Sequence, residues 1–267
     1  MQPEKTRLLS IIIPVYKEEK TILNNLKSIL NDLQILSCPY EVIVVIDGRV
    51  DRSFEELKKL NASCLRVVGY QRNHGKGYAV RFGMAKSKGN IIGFLDSGGD
   101  LMTRSLPIMY EQFIWNNCDI IIGSKLHPLS KVNYPFYRRI LSKGYQWLVR
   151  LLFGLRVKDT QVGMKLYKRK VLEDVLPRLI VKKFAFDIEI LAVAYYLGYR
   201  RIDEAPVELN FPGHSNITSL DLWRTIFNML WDTVAIFYRL NILHYYDDVN
   251  KRKWVFDKDL NFRVNIG

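Results

Sequence analysis

Apolar positions in the first half of the chain come in short runs, at 8–16 (LLSIIIPVY), 40–47 (YEVIVVID), 65–70 (LRVVGY), 90–96 (NIIGFLD) and 118–124 (CDIIIGS). Runs with so little polar alternation mark strands covered on both faces. Between them, over 19–36, 53–60, 77–86 and 104–116, apolar residues recur at helical spacing. Strand and helix alternating in this way predict βαβ crossovers and a doubly wound, mainly parallel sheet flanked by helices, an α/β fold.

After Ser124 the pattern loosens. KLHPLSKVNYP reads as a loop, 136–153 as a helix ended by a turn at Gly154, and RVKDTQVGMKLYKRK (156–170) as a polar segment. FAFDIEILAVAYYLGY (184–199) is the most apolar helical stretch, and RRIDEAPVELNF alternates as a late strand. Farther on, Leu220, Trp223, Phe227, Leu230, Val234 and Phe237 recur every three or four positions, a helical stripe interrupted by Asp221, Arg224, Asp232 and Arg239. Core packing and an interfacial helix demand the same period, so the stripe leaves both open. The chain therefore divides into an α/β domain over 1–217 and a C-terminal amphipathic helix with a mixed tail over 218–267.

Charge changes the picture. Forty Lys and Arg against 27 Asp and Glu give a net charge of +13, which favours phosphates, acidic lipids or nucleic acid as partners. The charge is spread along the chain and no nucleic-acid recognition motif is present, so nucleic acid is not expected. Cys38, Cys64 and Cys118 are odd in number, far apart and without metal-ligand spacing, which argues against a disulfide framework or structural zinc and for a reducing, cytoplasmic setting. The first apolar run is broken by Ser10 and Pro14, as suits a strand rather than a signal peptide. No stretch reaches the roughly 18 uninterrupted apolar residues of a spanning helix, so a soluble or peripheral protein is expected.

In a parallel sheet the carboxyl ends of the strands lie together, and ligands bind there. That edge gathers Glu18, Asp47, Asp51, Asp96 and Asp100, from the loops PVYKEE, DGRVD and DSGGD. Carboxylates clustered in a basic protein suit a hard divalent cation carrying phosphates. NHGKGYAVRFGMA (73–85) adds glycines and Lys76 at a helix start, where backbone N–H groups and an ammonium suit an anionic phosphate.

The ordered set SIIIPVYKEEKTI, VIDG, RNHGKGYAVRFGMAKSKGNIIGFLDS, GSK, YRRILSKGYQWLVRLLFGLRVKDTQVGMKLYKR and FAFDIEIL resembles family 2 glycosyltransferases of the GT-A fold. Within them it is similar to the polyprenol-phosphate (dolichol-phosphate) hexose synthase branch. The resemblance implies a GT-A, Rossmann-like sheet and an inverting transfer of a hexose from a nucleotide sugar, of the UDP-glucose or GDP-mannose type. The acceptor it implies is a polyprenyl (dolichyl) phosphate, and the place is the cytosolic face of a membrane, to which the protein binds peripherally. It implies that Pro14, Tyr16, Glu18 and Asp47 hold the nucleoside, and that Asp96, opening a D-x-D-like motif, holds ribose and the metal-bound diphosphate beside Lys76. The metal, Mg²⁺ or Mn²⁺, falls to Asp96 and Asp100.

On the acceptor side the resemblance assigns the phosphate to Lys125, Arg138 and Ser142, and the pocket to Asp159, Gln161, Asp187 and Glu189. Asp96, Asp159 and Arg138 are the catalytic candidates. Asp at a helix start is equally a capping choice, which bears on Asp187 and Glu189. The chain departs from the family where Ile46 replaces the first acid after the second strand, and where Gly98 and Gly99 precede Asp100. Two alternatives share these residues: a transferase with a hydroxyl acceptor, which needs a general base, and a non-catalytic nucleotide-sugar or membrane-surface binding protein.

Overall fold

In chain order the first half contains β1 (Leu9–Val15), α1 (Ile22–Leu33), β2 (Tyr40–Asp47), α2 (Ser53–Leu57), β3 (Leu65–Tyr70), α3 (Lys76–Lys86), β4 (Ile91–Leu95), α4 (Ser105–Trp115) and β5 (Ile120–Ser124). The second half contains β6 (Lys131–Val132), α5 (Phe136–Phe153), β7 (Met164–Lys168), α6 (Arg169–Val175), α7 (Phe186–Tyr196), β8 (Ile202–Pro206), β9 (Glu208–Leu209), α8 (Ser219–Asn241), β10 (Val255–Asp257) and β11 (Phe262–Val264). The computed structural model describes residues 7–98, 103–132, 136–181, 185–209 and 219–265, the side chains of 136–140, 219–225 and 252 excepted.

A seven-stranded sheet in the order β3-β2-β1-β4-β7-β5-β8 forms the centre. Its pairings are parallel except around β7, which runs antiparallel to both β4 and β5. β1 is buried at every position, Ser10 and Pro14 included, as a strand covered on both faces requires. Side chains alternate across the sheet. Ile11, Ile13, Val42, Val44 and Ile46 meet Leu26 and Leu33 of α1 and Met109 and Phe113 of α4. Ile12, Ile43 and Val45 meet Ala79, Val80 and Met84 of α3 in a layer that also takes in residues of α5, α6, α7 and α8. Ile46 points into the first of these layers and is 2% exposed.

The strand reversal was not legible in the sequence. The segment 156–170 reads as a polar connection, yet Met164–Lys168 is a buried central strand. Lys165 and Lys168 break its apolar pattern, and both are accommodated by ion pairs, with Asp187 and with Asp119. The helix expected from Glu19 begins at Ile22, because the Glu18 carbonyl accepts the N–H groups of Thr21 and Ile22 and holds a turn first.

The expected boundary at 217/218 does not separate two cores. Ile236 and Leu240 of α8, together with Tyr246, are buried in the same cluster as Phe186 and Ile190 of α7. Beyond α8 a 3₁₀ turn at Asp248–Lys253 leads into the β10–β11 hairpin. Arg178 fastens this tail: its Nε donates to the Tyr246 carbonyl at 2.8 Å and its guanidinium lies over the Trp254 ring.

α3 packs closely on the sheet because Gly83 carries no side chain. A Cβ there would stand 2.3 Å from Cγ2 of Ile12 and 2.9 Å from Cγ2 of Val45. Gly83→Ala is expected to lower stability, since overpacking costs about 1–3 kcal/mol against a helix-propensity gain of at most about 1 kcal/mol. The check is the urea midpoint at unchanged m-value; a midpoint at or above the parent's would contradict this packing.

Candidate functional site

The loops that follow β1, β2 and β4 meet at the carboxyl edge of the sheet. The Glu18 N–H donates to the Ser53 hydroxyl at 3.1 Å, that hydroxyl donates to Asp51 at 2.9 Å, and the Ser97 hydroxyl donates to the Glu18 carboxylate. Asn25 of α1 holds the Ser97 carbonyl at 2.8 Å. The other Glu18 oxygen, Oε2, is buried without a hydrogen-bond partner. Burial pushes the Glu18 carboxyl above the ordinary carboxylate range; the Ser97 hydrogen bond opposes this, and the charges of Asp96 and Asp51 add to it. Pro14 is the penultimate residue of β1, and Tyr16, beyond it, is 43% exposed.

Asp96 follows β4, its N–H held by the Gly163 carbonyl at 2.9 Å. Its carboxylate lies against Gly163, where a Cβ would come within 1.9 Å of Oδ2 and displace it. Lys76 Nζ is 2.7 Å from Asp96 Oδ1 and 3.9 Å from Asp187 Oδ2. Asp187 Oδ1 is held by Lys165 Nζ at 2.7 Å, and Lys165 also donates to the Val162 carbonyl at 2.6 Å. The Phe94 ring lies beneath both ammonium groups, at 5.5 Å and 4.9 Å. Burial depresses the Lys76 ammonium, but Asp96 and Asp187 outweigh it and hold the group above the ordinary lysine value. For Lys165 burial wins over Asp187, and the value falls.

Asp47 is oriented differently from the expectation. It is 2% exposed and accepts hydrogen bonds from Tyr70 Oη (2.9 Å), Asn73 Nδ2 (2.8 Å) and the N–H groups of His74 (2.8 Å) and Gly75 (3.0 Å). Its oxygens are committed to the loop that starts α3, so it positions Lys76. The carboxylates share an edge, but among the described residues no three acidic, histidine or cysteine side chains gather as a metal-holding group. Asp100 lies outside the described residues.

A cavity of about 590 Å³ opens beside the end of β5, lined by Lys125, His127, Ser142, Lys143, Gln146, Lys158 and Asp159, among others. Asp159, 3% exposed, accepts the N–H groups of Lys125 and Gln161, both at 3.1 Å, and lies 3.6 Å from Lys125 Nζ. Asp159 thus ties the end of β5 to the segment that leads through Gly163 to Asp96. Arg138 belongs to α5 one turn before Ser142; its side chain lies outside those described.

Two residues expected in an acceptor pocket, Glu189 and Asp187, take other positions. Glu189 is 0% exposed and accepts the N–H groups of Ile180 and Val181 and the Tyr246 hydroxyl, at 2.9–3.1 Å and 2.8 Å; it is an internal anchor. Asp187 faces Lys76 and Lys165 and does not line the cavity. Gln161 contacts Met229 of α8. Sequence reading missed Lys165 and Gly163, both inside the quoted DTQVGMK, and missed His127 and Lys158 as cavity residues. The available signal was only that both lie in a segment already quoted.

The family model described as Glycosyl transferase family 2 matches residues 10–176. A Drosophila melanogaster protein named dolichyl-phosphate beta-glucosyltransferase is 34% identical over 202 residues, covering 70% of this chain and 62% of the relative. The chain thus spans less than two thirds of that protein. A Dictyostelium discoideum protein of the same name is 30% identical over 247 residues, covering 86% of this chain and 74% of the relative. Among solved structures, glucosyl-3-phosphoglycerate synthase from Mycobacterium tuberculosis, in complex with Mn²⁺, UDP-glucose and phosphoglyceric acid, has a similar fold, with a TM-score of 0.64 at 18% identity, covering 86% of this chain and 80% of that one.

The anchoring role of Glu189 is open to test. Glu189→Ala strands two buried N–H groups and a hydroxyl and is expected to cost about 3 kcal/mol or more. Burial raises the Glu189 carboxyl, against the Tyr246 and backbone hydrogen bonds, so between the ordinary and the raised value the native state holds a proton that the unfolded chain has released. Its contribution to stability therefore falls as pH rises through that window, and the variant should lose this slope. Denaturation at several pH values checks both; unchanged stability in Glu189→Ala would overturn the assignment.

Proposed function

Because the chain belongs to glycosyl transferase family 2, we propose that it transfers glucose, with inversion, from UDP-glucose to the phosphate of a polyprenyl lipid of the dolichyl type. The cavity beside β5 supports the acceptor class most directly. Among the described residues it presents Lys125, His127, Lys143 and Lys158 with a single carboxylate, Asp159, whose oxygens already serve two backbone N–H groups and Lys125. A hydroxyl acceptor must lose a proton to a base, whereas a phosphate monoester arrives charged and needs only cations to position it. Cations predominate here. The names of the Drosophila and Dictyostelium relatives support glucose and dolichyl phosphate, and the UDP-glucose complex of the structural neighbour supports the donor.

On the donor side, the buried and unpartnered Glu18 Oε2 suits a hydroxyl or N–H of the nucleoside. Lys76, at the start of α3, adds an ammonium to a helix N-terminus, a favourable setting for phosphate. The side chain of Asp96, 43% exposed at the strand end, fits a Mg²⁺ or Mn²⁺ ion, since one carboxylate with phosphate oxygens and water is a sufficient set. Bound there, the ion would offset charge growing on the departing nucleoside diphosphate. In the transfer itself an acceptor phosphate oxygen forms the bond to the glucose C1 as the bond from C1 to the diphosphate breaks. Lys125 and Ser142 orient the acceptor, and Asp159 fixes Lys125.

We further propose peripheral binding to the cytosolic face of a membrane. Along α8 and just beyond it, Phe227, Trp231, Val234, Tyr238 and Ile242 are exposed, and on α5 so are Trp147 and Leu151 beside Lys143 and Arg150. Among the described residues no helix is long and apolar enough to cross a membrane. The three cysteines are free, which suits a reducing compartment.

Incubation of the purified protein with UDP-glucose or GDP-mannose, and with polyprenyl phosphate or polyprenol, tests the reaction by mass spectrometry. Glucosyl phosphoryl-polyprenol from UDP-glucose is expected; equal turnover of polyprenol would favour the hydroxyl-acceptor alternative. Lys125→Met should raise the KM for the lipid phosphate about tenfold, the loss of one charge-assisted contact, with donor affinity nearly unchanged. In vesicle flotation, binding should depend on anionic lipid and fall with salt, since each nearby Lys or Arg contributes about 1 kcal/mol. Phe227→Ser with Trp231→Ser should weaken it, and equal binding to neutral vesicles by parent and variant would count against the surface.

A further inference from the structure

Asp96, the carboxylate assigned above to the divalent cation, is already engaged by a cation of the chain itself. Lys76 Nζ is 2.7 Å from Asp96 Oδ1, a short charge-assisted contact. The same ammonium has a second carboxylate in reach, Asp187 Oδ2 at 3.9 Å. Asp187 cannot follow Lys76 outward: its other oxygen is fixed by Lys165 at 2.7 Å, and Lys165 is fully buried and tied to the Val162 carbonyl. Asp96 is seated from its other side, its backbone N–H bonded to the Gly163 carbonyl and its carboxylate in contact with that residue. Two cations and two carboxylates thus alternate in a row, with only Asp96 and Lys76 reaching solvent to any extent, at 43% and 25% side-chain exposure.

We propose that Lys76 is a place-holding counter-ion that makes Asp96 selective for a metal–nucleotide complex over the bare metal ion. An aquated Mg²⁺ or Mn²⁺ arriving alone must take Asp96 from the ammonium and leaves Lys76, among the described residues, with Asp187, itself shared with Lys165. A metal arriving with a diphosphate supplies anionic oxygens that replace Asp96 as a partner of Lys76, so the exchange leaves every charge matched. Asp187, held by Lys165, keeps Lys76 at the mouth of α3 while this occurs. The inference rests on the donor-site reading given above and extends it to the order in which the site fills.

Titration calorimetry with Mn²⁺ alone, with UDP alone and with Mn²⁺ plus UDP tests it on the parent, Lys76→Gln, Lys76→Arg and Asp96→Asn. The parent should bind Mn²⁺–UDP far more tightly than Mn²⁺. In Lys76→Gln the two affinities should move in opposite directions: Mn²⁺ alone tighter and Mn²⁺–UDP weaker, each on the order of tenfold, the scale of one charge-assisted contact. Lys76→Arg, which keeps the charge, should resemble the parent with Mn²⁺ alone, and Asp96→Asn should abolish the gain when combined with Lys76→Gln. Lys76 begins a helix and leaves the Lys165–Asp187 pair intact, so circular dichroism and the melting temperature should report a folded variant. If Lys76→Gln, folded, binds Mn²⁺ no more tightly than the parent while both bind Mn²⁺–UDP, the place-holding role is wrong. If the parent binds no UDP in the presence of Mn²⁺, the donor-site reading fails and the inference falls with it.

Discussion

An ammonium group with no access to water governs the geometry of the site. Lys165 is 0% exposed, and withdrawing such an ion from water carries a penalty of several kcal/mol even after relaxation. The fold is tenable only because Asp187 and the Val162 carbonyl come with it, at 2.7 Å and 2.6 Å. That requirement pins the first turn of α7 to β7 and fixes where β7 enters the sheet. Gly163, at that entry, then forms the floor beneath Asp96 and bonds its N–H. Asp187, locked from one side, presents its other oxygen toward Lys76.

The acidic residues at this edge divide into two kinds according to who supplies their hydrogen bonds. Asp47, Asp159 and Glu189 accept from backbone N–H groups and are nearly or fully buried. A carboxylate satisfied by the main chain is part of the scaffold, and each of these fixes a loop: Asn73–Gly75, the join between Lys125 and Gln161, and Ile180–Val181. Asp96 and Glu18 differ, since Asp96 is substantially exposed and Glu18 keeps one oxygen without a partner. Groups that retain binding capacity are the ones a ligand can use.

A comparable division runs along the helices that close the second core layer. α8 turns Thr233, Ile236 and Leu240 inward, with Thr233 Oγ1 2.8 Å from the Tyr145 hydroxyl of α5. It leaves Phe227, Trp231, Val234 and Tyr238 outside. Met229, Leu230 and Phe237 sit partly buried between these faces. The core had room for one face of the helix, so a helix apolar on two faces leaves one exposed. The basic cavity lies beside α5, which also carries the exposed Trp147 and Leu151.

The sequence by itself determined the strands β1 to β5, the alternation of strand and helix, the mainly parallel sheet they imply and the edge at which polar loops gather. These follow from local periodicity and from short crossovers, which are properties of neighbouring residues. It also placed Glu18, Asp47, Asp51 and Asp96 at that edge, by loop position after a strand, and pointed to Lys76 through the glycine-bearing helix start, whereas Lys125, Ser142 and Asp159 entered only through the family resemblance. It could not give β7, because two lysines in a five-residue strand read as polar until Asp187 and Asp119, distant in the chain, are brought against them. It could not separate Asp47 and Glu189 from Asp96, all acids near turns, because what distinguishes them is which hydrogen bonds are already made. Nor could it say which apolar residues of α8 face inward, since a helical stripe has the same period against a core as against a lipid surface. Tertiary structure decided these points for a common physical reason: the free energy of a charge or an apolar group depends on what surrounds it, and in each case the deciding neighbour lies far away in the chain.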